Sequence, residues 1–132
     1  MKKYILISIL VVVAIVIGGY FMFNFILTFV RIPDENAILH YSYNDEDISV
    51  NLTAEESNTI KNMFGGKMLY NDSPSCGFSE NISIKCGDMT FCIAYDMCPV
   101  IKCEHRYFRI SNEDRKILNG IFEKYGGFFP CI

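Results

Sequence analysis

Six cysteines and two histidines carry most of the chemical potential of this 132-residue chain. The thiols are Cys76, Cys86, Cys92, Cys98, Cys103 and Cys131, all in the second half. A cysteine can serve as a metal ligand, a nucleophile or a disulfide partner, and spacing helps to separate these roles. Zinc sites favour closely spaced ligand pairs, and thiol–disulfide enzymes place C-x-x-C at a helix start. Neither pattern occurs, because Cys86, Cys92, Cys98 and Cys103 follow one another at gaps of five or six positions. Cys98, Cys103 and His105, with Cys92 nearby, are the nearest thing to a metal set, and they lack a second pair at matching spacing. An even cysteine count beyond an apolar segment reads instead as a disulfide framework of two or more bridges. Cys131 is expected to pair with a loop cysteine, Cys76 or Cys98.

Hydrolytic chemistry needs a nucleophile, a base and an oxyanion site. His40 falls in an alternating, strand-like run and His105 in a turn, and neither G-x-S-x-G nor H-E-x-x-H occurs. Asp96 reads as a turn-starting residue. The sequons at Asn51, Asn71 and Asn81 carry meaning only in a eukaryotic secretory pathway. No catalytic, cofactor or metal residue is therefore assigned.

The element that positions everything else is Tyr4–Val30, which holds no charge over 27 residues. A bilayer core takes roughly 20 apolar residues in a helix, so this run is long enough to span. It is too long for the apolar core of a cleaved signal peptide, although a weak small-residue site lies near Val16 and Gly18. Residues 1–3 are read as a cytoplasmic tip, 4–30 as a transmembrane signal anchor, 31–36 as a spacer and 37–132 as an extracytoplasmic domain. Lys2 and Lys3 against a single Arg31 set that orientation. Ala14 and Gly18 form a small-xxx-small pair through which two copies could dimerise; Asn24, the polar residue that could bond across such a contact, lies off that face and near the outer end.

From Ile32 onward nine basic residues face fifteen acidic ones, a formal charge of −6. That excludes a basic nucleic-acid surface and leaves a cationic peptide or protein partner open. Ala37–Tyr43 and Ile48–Leu52 alternate as a hairpin around Asn44–Asp47. Thr53 and Glu56 fit a capping box for a helix with a stripe of Ile60, Met63 and Phe64, stopped by Gly65-Gly66. Residues 71–78 form a breaker-rich loop. Asn81–Cys86 and Met89–Tyr95 pair around Gly87-Asp88, with Cys86 opposite Met89 and Ile84 opposite Phe91. Ser83, Lys85, Thr90, Cys92 and Ala94 take the other face. Val100–Cys103 and Arg106–Ile110 pair around Glu104-His105, leaving Tyr107 and Arg109 on an open face. Ser111 caps a last helix with a stripe of Ile117, Leu118, Ile121, Phe122 and Tyr125, and the apolar tail 128–132 should dock.

The expected fold is α+β: an N-terminal transmembrane helix, then a small antiparallel sheet with two helices on one face, stabilised by disulfides. The expected function is a non-catalytic module that sits outside the cytoplasm, anchored in the cell membrane, and recognises a protein or peptide. Pro74, Cys76, Phe78, Glu104 and His105 are its interaction loops. The competing class is a thiol-redox or metal-binding membrane protein.

Overall fold

The computed structural model describes residues 1–129. Helix α1 runs over Lys2–Thr28 and is long and apolar enough to cross a membrane. At 1.5 Å per residue it is roughly 40 Å long. Three of its polar side chains bond back to the helix itself. Ser8 Oγ, Asn24 Nδ2 and Thr28 Oγ1 donate to the carbonyls of Tyr4, Tyr20 and Asn24, at 3.0, 2.9 and 2.7 Å. In hydrocarbon that back-bonding replaces the partners water would supply.

The domain is built on β1 (Ile38–Tyr43), β2 (Glu46–Asn51), β3 (Ile82–Cys86), β4 (Met89–Ile93), β5 (Val100–Cys103) and β6 (Arg106–Arg109). They form one six-stranded sheet in the order β2-β1-β3-β4-β5-β6, every neighbour antiparallel. The central hairpin has the expected register, Cys86 opposite Met89 and Ile84 opposite Phe91. The first turn is tighter than its sequence suggests. Only Asn44 and Asp45 form it, both with positive φ (49° and 66°), and β2 already starts at Glu46. Asn and Asp tolerate that left-handed backbone, as a two-residue hairpin turn requires.

Period-two alternation sends Leu39, Ile84, Phe91, Ile101 and Phe108 to one face, all fully buried. Helices α2 (Ala54–Phe64) and α3 (Asn112–Lys124) pack there through Ile60, Phe64, Leu118 and Phe122. The capping box forms: Glu56 N–H donates to Thr53 Oγ1 at 3.2 Å, and Thr53 N–H to Glu56 Oε2 at 3.0 Å. Ser111 caps α3 through Asp114 N–H. The α3 stripe departs from expectation at Ile117, which is 49% exposed. Arg115 and Asn119 are buried in its stead. The Arg115 guanidinium donates to Ala94 O and lies 4.7 Å from the Phe129 ring centre, so aliphatic stem, charge and aromatic face are all used. Burial lowers its pKa to about 10, opposed by Asp96, which leaves it charged at neutral pH. The tail docks through Phe129, which is buried and meets Phe122 edge-on at 5.2 Å, whereas the Phe128 side chain is exposed and only its carbonyl is held, by the Tyr41 hydroxyl. Residues 130–132, Cys131 included, lie outside the described part.

Helix α1 does not hand over to a loose tether. Leu69 N–H donates to Thr28 O at 2.7 Å, Val30 N–H to Lys67 O at 2.9 Å, and Gly66 N–H to Val30 O at 2.9 Å. Arg106 donates to Leu27 O. The last carbonyls of a helix lack intrahelical partners and favour nearby cations. Here the domain supplies both, since the last turn of α1 has no basic residue of its own. Val30 is buried in the core, and residues 31–36 run along the domain, Lys61 pairing with Asp34 at 2.9 Å.

Candidate functional site

The second face of the sheet carries the candidate site. Residues 71–81 cross it as a strap. Tyr70 exchanges backbone hydrogen bonds with Tyr107 (2.8 and 2.9 Å), Tyr95 N–H donates to Gly77 O (3.2 Å), and Ser83 Oγ to Glu80 O (2.8 Å). A Cβ at Gly77 would fall 2.4 Å from the Tyr95 ring, so a larger residue there would push that ring aside. Cys76 and Cys98 join through their sulfurs at 2.06 Å and pin the middle of the strap to the segment after β4. Beneath it Ser83, Cys92, Ala94 and Val100 are buried. The face expected to be open is thus half covered. Tyr107 is not on an open face either: it stacks on Phe78 at 5.5 Å and on Tyr70 at 6.0 Å, and its hydroxyl donates to Ser73 at 3.3 Å. Arg109 is exposed as expected.

Among the described residues the cysteines form one disulfide. Cys76 and Cys98, the two partners proposed for Cys131, pair with each other. Cys86, Cys92 and Cys103 are buried free thiols. Strand alternation explains this, since Cys86 and Cys103 point into the helix-covered core and Cys92 points to the strap side. Burial raises all three pKa values; Glu104 adds to it at Cys103, which reaches about 11, and Glu80 at Cys92. Thiols held protonated are poor nucleophiles and poor metal ligands. Asp96 lies with Cys76 and Cys98 in one group whose donor atoms fall within 4.8 Å of one another. With the sulfurs bonded together, that group offers a metal one carboxylate and no thiolate.

Beside the strap a cleft of about 380 Å³ opens on the sheet. Thr90, Cys92 and Lys102 form its floor, Phe78, Ser79 and Glu80 one wall, and Asp88 and Glu104 the other. Cys92 and Lys102 are directly paired across β4 and β5. Three carboxylates therefore face one ammonium group, beside an aromatic wall and a protonated thiol. That arrangement can hold a cation beside the Phe78 ring.

Two of the sequence-derived loop residues, Phe78 and Glu104, meet at opposite rims of this cleft. Pro74 lies apart, in a shallow hollow with Tyr70, Asp72, Ser73 and Arg109. Cys76 is spent in the disulfide, and His105 is exposed in the β5–β6 turn. Glu80, Asp88, Thr90 and Lys102 escaped sequence reasoning. Strand alternation puts Thr90 and Cys92 on one face of β4, and the β4–β5 register, which alternation alone does not reveal, sets Lys102 beside Cys92.

The architecture defines an α+β domain continuous with a membrane-length helix. No family model matches the chain, and no curated protein or solved structure matches it.

Proposed function

We propose that this protein is a single-pass, membrane-anchored binding module. Its N-terminus lies in the cytoplasm and its domain outside, and it recognises a protein or peptide through a cationic side chain. The acidic cleft between strap and sheet carries the reading. Glu80, Asp88 and Glu104 surround a space large enough for a lysine or arginine head group, and Phe78 offers the face on which its stem can lie. The net negative domain favours the same partner at long range. The reading is non-catalytic, and burial, which raises the pKa of the Cys92 thiol in the floor, makes that group a poor nucleophile. Orientation rests on the basic residues before α1.

Binding of lysine- and arginine-bearing peptides to the full chain in detergent tests the reading, with glutamate-substituted peptides as controls. Glu80→Gln combined with Glu104→Gln should weaken capture about tenfold with thermal stability unchanged. Equal capture by the double variant would remove the cleft from the function. Protease added to intact cells should digest the domain; a protected domain would reverse the orientation.

A further inference from the structure

A second cleft, of about 310 Å³, lies where α1 meets the domain. Ile26, Leu27 and Phe29 from the helix end form one side, Leu69 and Met89 the other. Arg31 and Arg106 stand at its edge, and Glu104 is the single acid in its lining. The composition is unlike the rest of the domain, whose formal charge is −6. Apolar walls continue the lipid-facing surface of α1, and cations stand where the helix leaves the hydrocarbon. Met68, 63% exposed, projects beside the same exit and bridges Phe29 in the backbone. Lys67, bonded through its carbonyl to Val30, adds a third cation at this level.

We infer that this junction cleft binds one anionic phospholipid. Its phosphate sits against Arg31 and Arg106, and the first carbons of an acyl chain lie along Ile26, Leu27 and Leu69. Guanidinium groups bind phosphate in paired, charge-assisted contacts, and long cationic side chains at a helix end reach naturally to the headgroup level. The lipid occupant follows from position, because an apolar slot that opens at the end of a spanning helix meets lipid before any soluble phosphate. Since Arg106 also holds Leu27 O, a bound phosphate would tie lipid, helix end and β6 into one unit.

The inference rests on α1 spanning a membrane, which retention of the full chain in carbonate-washed membranes checks separately. For the lipid itself, the full chain in detergent is equilibrated with phosphatidylglycerol or with phosphatidylcholine of the same acyl chains, and retained lipid is counted by native mass spectrometry. One phosphatidylglycerol per chain is expected, with phosphatidylcholine held at least about tenfold more weakly. Arg31→Gln should lower phosphatidylglycerol retention about tenfold while leaving the melting temperature without lipid unchanged, since Arg31 is exposed. Arg106→Gln should do the same and also loosen the helix end. Equal retention of both lipids, or an Arg31→Gln chain that binds like the parent, would overturn the proposal. So would saturation by sn-glycerol 3-phosphate alone, which would show a free-phosphate site.

Discussion

The two faces of the sheet are sealed by different means. On one, α2 and α3 bury Phe64, Ile60, Leu118 and Phe122 against Leu39, Ile84, Phe91, Ile101 and Phe108. Hydrophobic area holds that contact, with caps at both helix starts. On the other, residues 71–81 lie across the strands without secondary structure of their own. Backbone bonds at their ends, the Phe78–Tyr107 stack and one disulfide hold them. The first kind of seal excludes water from the centre of the face, where Leu39, Ile84, Phe91, Ile101 and Phe108 are fully buried. The second covers half and leaves a cleft beside it. The aromatic core and the acidic cleft thus lie on opposite sides of the same six strands.

Removing a core aromatic should break the first seal outright. Phe91 lies 5.1 Å from Phe64 and 6.1 Å from Phe108, ring centre to ring centre, and is fully buried. Phe91→Ala should cost about 3–5 kcal/mol, a large part of the roughly 5–15 kcal/mol that holds a domain together. Urea unfolding followed by circular dichroism measures it. A loss below about 1 kcal/mol would mean that the helices do not seal this face.

The second seal should fail more gently. Cys76→Ser or Cys98→Ser removes a link between residues 22 apart in sequence, worth about 2–4 kcal/mol. The double variant should lose no more than either single one, because the two thiols form one bond. Hydrogen exchange should rise at Ser83, Cys92 and Ala94 under the strap and stay slow at Leu39 and Phe108. Equal acceleration on both faces would show that strap and core open together, which would erase the contrast.

Legibility in the sequence divides along the same line. The helix-covered face depends on local signals. The Thr53/Glu56 box, the Ser111 cap and the Gly87-Asp88 turn each fix a short stretch, and alternation then places Ile84 opposite Phe91. The strap depends on pairings far apart in sequence. Nothing within residues 71–81 shows which strand they will cross, and six cysteines admit many pairings. The join between β1 and β3 is equally remote, with α2 and the strap inserted between them. The anchor to domain join was hidden for another reason: Pro33, Asp34 and Glu35 resemble a solvated spacer, yet Val30 and Ala37 on either side are core residues. In the site, Phe78 and Glu104 are legible as loop residues, whereas Asp88 reads as a turn former whose carboxylate reaches the cleft only through the fold.

The smallest effect tests how the helical seal is fastened at its edge. Glu56 begins α2 and accepts hydrogen bonds from the Lys124 ammonium and, at 2.8 Å, from the Tyr125 hydroxyl at the end of α3. Its side chain is 13% exposed. Burial alone would raise its pKa. The hydrogen bonds from Lys124, Thr53 N–H and Tyr125 together outweigh burial and hold it at about 2, against an ordinary 4.5. A carboxylate depressed on folding adds stability that is fully present above the unfolded value and is lost as pH falls toward the folded one. Glu56 should therefore stabilise the domain above about pH 4.5, and its contribution should drain away between 4.5 and 2. Glu56→Gln should cost about 1–2 kcal/mol at neutral pH, since a partly exposed ion pair adds little beyond its hydrogen bonds. Urea midpoints for parent and variant from pH 6 down to pH 2 should converge across that window. A gap that stays constant with pH would mean that Glu56 acts as a neutral cap alone, and that the α2–α3 fastening owes nothing to its charge.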